Sequence, residues 1–250
     1  MKIGDTIVPN WPASERVRAL TTTRHGGVST GVYASFNLAM HCGDEIARVT
    51  ENREWLRTRL GVPLVVCWLK QVHGTDVVDA DREYTTPPTA DAALAQTPRR
   101  ACAILTADCV PVLLCDRAGT MVGAAHCGWR GLAQGVLAEL AQRLPTRAAN
   151  LIAWLGPGIG PARYEVGRDV RDALLRSLPV SLVARALRPS RDKWLADLYE
   201  LARAQLHALG IPEVYGGGFC TYEDERFYSY RRDGVTGRMA TLIWLEDDAG

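Results

Sequence analysis

Short apolar runs bounded by turn residues recur along the chain, and runs of this kind are typical of buried strands. They predict strands at positions 17–23, 65–73, 75–78, 101–106, 110–115, 121–126, 151–155, 214–219, 227–230 and 239–245. Turn-forming residues such as glycine, proline and aspartate lie close to the ends of many of these runs. The chain is therefore predicted to be rich in short strands.

Between these strands, apolar residues recur every three or four positions, the spacing that places side chains on one face of a helix. The spacing predicts helices at positions 45–60, 132–144, 169–178 and 191–209. Asp44 and Ser190 are the expected N-caps of the first and last helices, and Gly210 is the stop signal of the last. A strand therefore feeds the second helix through the Gly-Trp-Arg-Gly segment that begins at Gly128.

Strands and helices follow one another in a mixed order, and no repeat, low-complexity segment or linker divides them. A chain of 250 residues lies near the upper end of what one hydrophobic core supports. We therefore expect one α+β domain that extends over residues 1–250.

Composition and charge exclude several classes of protein. The 29 lysines and arginines nearly balance the 28 aspartates and glutamates, so a net charge of +1 gives no field that would attract nucleic acid or an acidic membrane. No run approaches the roughly 20 apolar residues of a membrane helix, and the first residues lack the apolar segment of a signal peptide. We expect a cytoplasmic protein with small-molecule partners, whose oligomeric state the sequence leaves open.

The seven cysteines form an odd set without a Cys-x-x-Cys pair, which argues against both a disulfide framework and a zinc ribbon. Free cysteine usually behaves as a small buried hydrophobic residue. Most of these thiols are therefore expected to be reduced and structural, and only their context can single one out for chemistry.

Three of the predicted strands end at or near a side chain that can bind a metal: His73, Cys109 and His126. Loops of a sheet protein gather into sites at such strand ends. Two imidazoles and one thiolate suit zinc or copper, and three protein ligands leave one coordination position open, as in catalytic zinc sites. The alternative is that these are three unrelated side chains, since no local spacing connects them.

The remaining histidines and the neighbouring thiol are weaker candidates. His207 falls on the predicted solvent face of its helix, and Cys127 points away from His126 in an extended segment. His25 and His41 belong to a glycine-rich loop and its continuation, where they can either contact substrate or stay exposed.

Four arginines lie beside the candidate loops: Arg24, Arg130, Arg231 and Arg232. Guanidinium groups match the geometry of phosphate, so these residues are candidate substrate ligands, although a solvated or aspartate-paired arginine is the commoner case. The glycine-rich stretch 156–161 is not a dinucleotide fingerprint, because a proline replaces its third glycine.

Several motifs together resemble one known family closely. They are Thr-Arg-His-Gly-Gly-Val-Ser at 23–29, Asn-Leu at 37–38, Gly-Asp at 43–44, Lys-Gln-Val-His-Gly at 70–74, Thr-Ala-Asp-Cys-Val-Pro at 106–111, His-Cys-Gly-Trp-Arg-Gly at 126–131, Leu-Gly-Pro at 155–157, Ile-Gly at 159–160 and Tyr-Ser-Tyr-Arg-Arg-Asp at 228–233. The chain resembles the bacterial purine nucleoside phosphorylases formerly described as polyphenol oxidase or laccase-domain proteins, which include the peptidoglycan editing factor. The resemblance extends from about residue 18 to 245. Alanine is common in the family where Cys127 stands here.

The resemblance implies an α+β fold of layered mixed sheets flanked by helices, of the cysteine-hydrolase or cytotoxic necrotizing factor type. It implies that His73, Cys109 and His126 bind one zinc ion, with copper also possible. The implied activities are phosphate-dependent cleavage of adenosine, inosine, guanosine and methylthioadenosine, and deamination of adenosine. Five histidines exclude a true laccase, because its copper centres require on the order of ten.

These implications suggest a chemistry and two rivals. The metal would activate water or polarise the purine while arginines hold phosphate, and deamination would need a carboxylate such as Asp91 or Asp108 to move protons. One rival is a cysteine hydrolase or amidase that uses Cys109 as nucleophile with His126 or His73 as base. The other is a structural zinc module closed by a fourth ligand.

Overall fold

The computed structural model describes residues 6–60 and 64–247; the first five residues, which the signal-peptide expectation includes, lie outside this part. The strands are β1 Val17–Thr21, β2 Val65–Cys67, β3 Val77–Asp79, β4 Ala92–Ala95, β5 Arg100–Thr106, β6 Val110–Asp116, β7 Val122–Cys127, β8 Leu151–Leu155, β9 Glu165–Val166, β10 Leu187–Ser190, β11 Lys193–Ala196, β12 Glu213–Gly216 and β13 Met239–Leu245. The helices are α1 Ile46–Leu60, α2 Trp129–Gln134, α3 Val136–Arg143, α4 Arg168–Ser177, α5 Val180–Ala186, α6 Leu198–Ala208 and α7 Tyr230–Asp233. Within the described residues, no helix is both long and apolar enough to cross a bilayer.

Two mixed sheets form the centre of the α+β fold. One has the strand order β1-β13-β5-β2 and the other the order β12-β8-β6-β7-β4-β3, and a small third sheet has the order β10-β11-β9. Cys102 and Ile104 of β5 pack into a cluster with Leu113 of β6 between the two large sheets. The intervening residues Ala101 and Ala103 pack with α1 on the opposite face.

The six-stranded sheet is also covered on both faces. Val112 and Leu114 of β6 face a second cluster that includes Leu137 of α3 and Leu201 of α6. The molecule is thus layered as helix, sheet, sheet and helices. This layering explains why β5 and β6 read as unbroken apolar runs, since both of their faces are buried.

The register of the six-stranded sheet brings four segments to one end. In the antiparallel pair of β6 and β7, Val110 lies opposite Cys127, so the residue before β6 meets the last residues of β7. Ala92 at the start of β4 pairs with Ala125 of β7 and with Val77 at the start of parallel β3. The segments before β3, β4 and β6 therefore converge on the end of β7.

The predicted helix at 191–209 is wrong in its first half. Ser190 ends β10 and pairs with Lys193 across a two-residue turn into β11, and Arg191 in this turn has a positive φ of 54°. The helix begins only at Leu198, where the side chain of Asp197 accepts a hydrogen bond from the Glu200 N–H at 3.0 Å. Asp197 is therefore the N-cap of this helix, and Ser190 is not.

Three other predicted elements differ in extent or type. The helix after Gly128 is divided into α2 and α3 at Gly135, whose φ of 92° cannot continue a right-handed helix. Residues 227–230 form no strand, because Ser229 instead caps the short helix α7. The strand predicted at 65–73 ends at Cys67, and the segment that follows leads to His73 at the convergent end of the other sheet.

A buried asparagine ties the glycine-rich loop to α1. Asn52 is fully buried, and its side-chain oxygen accepts a hydrogen bond from the Val28 N–H at 2.9 Å. Its amide group donates to the Ser29 hydroxyl and the Asn37 carbonyl oxygen, both at 2.9 Å. One buried side chain of α1 therefore connects three points of the loop and its continuation.

We expect Asn52→Ala to lower the free energy of unfolding by about 3 kcal/mol, because it leaves several buried polar groups without a partner. The matched control is Glu51→Ala on the exposed face of the same helix, which should change stability by less than about 0.5 kcal/mol. Urea unfolding followed by tryptophan fluorescence measures both. Equal stability of the two variants would contradict the assigned role of Asn52.

Candidate metal centre

His73, Cys109 and His126 meet at the convergent end of the six-stranded sheet. One ligand atom from each of the three lies within 4.8 Å of the others, so this group could hold a metal ion. Gly128 closes the group from one side, where an added Cβ would lie 2.8 Å from Cys109 Sγ and 3.2 Å from His73 Cδ2. Only glycine therefore leaves the thiol and the imidazole in place.

Asp91 organises this group although it precedes β4 and does not belong to the trio. Its carboxylate is fully buried and accepts hydrogen bonds from the backbone N–H groups of Val72, His73 and Gly74 at 3.0, 2.9 and 2.7 Å. These bonds hold His73 in the left-handed region, with a φ of 62° that a residue other than glycine seldom adopts. The backbone turn that presents His73 therefore depends on Asp91.

The same carboxylate also orients His126. His126 Nδ1 lies 2.8 Å from Asp91 Oδ1, and because an ionised carboxylate can only accept, the Nδ1 atom carries the proton. This arrangement leaves Nε2 of His126 to face Cys109. A histidine fixed in this way by a carboxylate is typical of protein metal ligands.

Electrostatics favour the charged forms of these side chains. Burial opposes ionisation of Cys109, but the neighbouring His126 and His73 lower its pKa to about 6. Burial likewise disfavours a charged His126, but Cys109 and Asp91 raise its pKa to about 9. The pKa of Asp91 is lowered despite burial, because His126 and the backbone N–H groups bind the carboxylate. Without a metal, the group therefore contains a thiolate beside an imidazolium.

Cys127 is excluded from this group, as the sequence predicts. Its side chain packs in the apolar cluster beneath the helices, and burial raises its pKa well above the usual value. His207 is exposed on α6, also as predicted.

The trio lies in a cleft of about 380 Å³. The other residues that line it are His41, Gln71, Leu105, Thr106, Ala107, Asp108, Gly128, Trp129, Arg130, Tyr164, Tyr230, Arg231 and Arg238. Of the arginines and histidines proposed from the sequence, the structure therefore brings His41, Arg130 and Arg231 to the trio.

Three arginines of the cleft are each stacked on an aromatic ring. Arg130 lies 4.5 Å from the ring centre of Trp129, Arg231 lies 5.0 Å from that of Tyr164, and Arg238 lies 5.9 Å from that of Tyr230. Among the described residues, none of these guanidinium groups forms a salt bridge with a carboxylate. The guanidinium groups in the cleft are therefore oriented by stacking and, for Arg231 and Arg238, by hydrogen bonds to backbone carbonyl oxygens, and not by carboxylates.

His41 also lines the cleft. Burial, together with the charges of Arg238 and Arg53, lowers its pKa, so the imidazole is neutral at pH 7. The side-chain oxygen of Asn37 accepts hydrogen bonds from the backbone N–H groups of Ala39 and Arg238 at 3.0 and 2.9 Å. Asn37 therefore connects the segment that leads to His41 with the segment that carries Arg238.

Asp108 lies in the cleft but is already engaged by the protein. It has a φ of 94°, and its carboxylate accepts hydrogen bonds from the Thr221 hydroxyl at 2.7 Å and from the backbone N–H of Arg231 at 2.6 Å. Neither Asp91 nor Asp108 is thus a free proton carrier. The Asp91 carboxylate binds the strained turn that carries His73. Asp108 itself lies in a strained turn, directly before Cys109, and its carboxylate fixes that turn to other segments.

Arg24 and His25 lie elsewhere. They line a separate surface cleft with Arg232 and the acidic segment around Asp224. The Arg24 side chain donates a hydrogen bond to the Ala34 carbonyl oxygen and stacks on Tyr228. The structure therefore does not bring these two sequence candidates to the trio.

The sequence reasoning missed several residues of the cleft, among them Gln71, Thr106, Tyr164 and Arg238. Trp129 and Tyr230 each directly precede an arginine that was identified, and this adjacency was an available signal. No comparable signal marks Tyr164, which reaches the cleft from the segment before β9.

The chain is similar to several known proteins over most of its length. The family model described as multi-copper polyphenol oxidoreductase laccase matches residues 18–246. Purine nucleoside phosphorylase YfiH of Escherichia coli is 48% identical over 240 residues, which cover 96% of this chain and 98% of the relative. A purine nucleoside phosphorylase of Haemophilus influenzae is 42% identical over 245 residues, with 96% of this chain and 99% of the relative covered.

Solved structures share the fold. The crystal structure of protein NMB0706 of Neisseria meningitidis has a TM-score of 0.92 and 48% identity, covering 97% of this chain and 99% of the other. That of YlmD from Geobacillus stearothermophilus has a TM-score of 0.86 and 35% identity, covering 93% of both chains. The chain therefore belongs to the laccase-like polyphenol oxidoreductase family whose close relatives are named purine nucleoside phosphorylases.

Proposed function

We propose that this protein is a metal-dependent purine nucleoside phosphorylase that converts adenosine, inosine, guanosine and methylthioadenosine, with phosphate, into free base and ribose 1-phosphate or its methylthio analogue. The observation that carries the proposal is the cleft in which three arginines without carboxylate partners surround the His73, Cys109 and His126 group. Positive charge of this kind suits an anionic co-substrate. The names of the close relatives support the same reaction.

The donor set fits a single metal ion. Cys109 supplies a thiolate, since its pKa is about 6, and Asp91 fixes the ring of His126 with Nε2 directed toward the thiol. His73, Cys109 and His126 would hold the ion, and zinc is our first choice, with copper also compatible with these ligands. A bound ion would supply Lewis-acid polarisation of the substrate.

The arginines give the cleft its specificity for phosphate. Arg130, Arg231 and Arg238 would bind and orient phosphate so that one of its oxygens approaches C1′ of the ribose. The new bond joins that oxygen to C1′, the C1′–N9 bond breaks, and its electron pair passes to the purine. The proton that phosphate loses is the one that the released base gains, so no further reactant is required.

Deamination of adenosine is a second proposed activity, but the site supports it less. Attack at C6 of the purine needs a group that moves protons. Asp108 is the carboxylate among the described residues of the cleft, and both of its oxygens accept hydrogen bonds from Thr221 and Arg231. We therefore expect conversion of adenosine into inosine to be slower than phosphorolysis.

A cysteine-type hydrolase is the second candidate function, and one observation favours it. Cys109, His126 and Asp91 are arranged as a thiolate, an imidazole and an orienting carboxylate, which is the order of groups in a nucleophilic triad. In that case the metal would block the nucleophile. Removal of the metal therefore separates the two functions.

The requirement for phosphate is the direct test of phosphorolysis. Chromatography should detect free base from adenosine, inosine and methylthioadenosine with phosphate present and none without it. Base release at an unchanged rate without phosphate would contradict the proposal. In the same assay, Arg130→Gln should raise the KM for phosphate by about 10-fold or more, because a charged hydrogen bond is lost.

Arg171→Gln is the control for Arg130→Gln. Arg171 is likewise stacked on an aromatic ring, 5.2 Å from the centre of Trp194, but lies outside the cleft. It should leave the KM for phosphate unchanged. An equal effect of the two variants would show that arginine stacking, and not phosphate binding, is what the assay reports.

The role of Asp91 predicts a loss of metal affinity. An amide has one acceptor oxygen where the carboxylate has two, so Asp91→Asn cannot receive the four hydrogen bonds that hold His73 and His126 in place. We expect metal affinity to fall about 10- to 100-fold in a competition titration with a chromophoric chelator. Asp76→Asn, at an exposed neighbouring position, should bind metal as the unchanged protein does. Circular dichroism confirms that both variants are folded.

Chelation distinguishes the two functions. A metal-free preparation, verified by elemental analysis, should lose phosphorolysis and regain it when zinc is added. Full amidase activity in the metal-free protein, with an acyl group covalently attached to Cys109, would support the hydrolase instead.

A further inference from the structure

The hydroxyl group of Thr106 is an unpartnered polar group in the wall of the cleft. Thr106 is 1% exposed and lines the same cleft as the trio, yet its Oγ1 atom has no hydrogen-bond partner among the described residues. A buried hydroxyl without a partner costs free energy, so such a group normally binds an ordered water molecule or a ligand.

The fold fixes where this hydroxyl points. Side chains alternate along β5, where Cys102 and Ile104 face the space between the two large sheets and Ala103 and Leu105 face α1. Thr106 continues the first series and therefore faces the inter-sheet side, at the end of the strand where the trio lies. Thr106 therefore places a buried, unpartnered hydroxyl beside the cleft that it lines.

The side chain of Gln71, which lines the same cleft, already has hydrogen-bond partners in the protein. The Gln71 amide group donates a hydrogen bond to the Leu105 carbonyl oxygen at 2.9 Å, and its oxygen accepts one from the Leu105 N–H at 2.8 Å. Gln71 thus stiffens the strand end but leaves the Thr106 hydroxyl free for a ligand.

The residues that line the cleft differ in charge and exposure. Arg130 and Arg231 are exposed, whereas the wall formed by Leu105, Thr106 and Ala107 is buried and uncharged. An anion is attracted to the exposed arginines, and a neutral ring suits the buried wall. In displacement at a sugar C1′ with inversion, the attacking group and the leaving group occupy opposite faces of the sugar. Phosphate held by the arginines therefore directs the leaving group toward the buried wall.

From this geometry we infer that Thr106 is a substrate-binding residue whose hydroxyl group forms a hydrogen bond with the purine base. This inference rests on the proposed phosphorolysis, because that reaction sets the direction of the base. A hydroxyl can donate to a purine ring nitrogen and accept from an exocyclic amino group, so it suits both adenine and hypoxanthine bases. A hydrogen bond to the ribose is the competing possibility that the experiment resolves.

The experiment compares Thr106→Val, which keeps the shape of the side chain but removes the hydroxyl, with Thr106→Ser, which keeps the hydroxyl. Calorimetry measures the Kd for adenosine, and a chromatographic assay measures kcat/KM. We expect Thr106→Val to weaken binding by about 10-fold and Thr106→Ser to restore it largely. The Tm of Thr106→Val should not fall, because the hydroxyl has no partner in the free protein.

Substrate analogues then identify the atom that the hydroxyl contacts. The base analogues are 7-deazaadenosine, 3-deazaadenosine and purine riboside, and the sugar analogues are 2′-, 3′- and 5′-deoxyadenosine. The weakening caused by Thr106→Val should disappear for one base analogue, which lacks the contacted atom, and persist for every sugar analogue. Loss of the effect with a sugar analogue, or equal binding by Thr106→Val and the unchanged protein, would overturn the inference.

The binding measurement separates this inference from the proposed function. If the unchanged protein binds adenosine but releases no base, phosphorolysis fails while the Kd values still decide the role of Thr106. If it neither binds nor cleaves purine nucleosides, both fail. If it cleaves them and Thr106→Val does so equally well, only the inference about Thr106 is wrong.

Discussion

The buried carboxylate of Asp91 is the group on which the candidate site depends. It accepts three backbone hydrogen bonds from the turn that carries His73 and a fourth from the ring of His126. One side chain therefore sets both the backbone conformation of one candidate ligand and the tautomer of another. Because the carboxylate is fully buried, none of these bonds competes with water, and the loss of its charge would release two ligands together.

The layered fold explains why such a carboxylate is needed. Strands covered on both faces leave polar chemistry to the sheet ends, and the register of β3, β4, β6 and β7 brings four such ends together. The turns that meet there are tight, and both His73 and Asp108 adopt a positive φ. Each of these turns is held by a carboxylate, Asp91 for the first and Asp108 for the second. The two aspartates thus stabilise the site and are not available to transfer protons.

The cleft beside the trio combines two different surfaces. Stacking on Trp129, Tyr164 and Tyr230 orients three arginines whose charge no carboxylate of the described residues cancels. The segment formed by Leu105, Thr106 and Ala107, which also lines the cleft, is buried and carries no charge, and its polar side chain is that of Thr106. This separation suits a reaction between an anion and a neutral heterocycle, since each reactant finds its own surface.

The pattern of residues along the chain predicted the apolar strands at the centre of the fold, the α+β class and the three side chains that could bind a metal. Strands such as β8 and β13 were predicted with their observed ends, because a run buried on both faces is almost entirely apolar. The turn and second strand of the hairpin at 187–196 were mistaken for the start of a helix, since short apolar spacing fits both periods. The tertiary structure was needed to separate Arg24 and His25 from the trio and to place Arg238 and Thr106 in the cleft. It was also needed to show that Asp91 holds His73 and His126 in position. These outcomes depend on strand register and on contacts between distant segments, and no local pattern of residues encodes either.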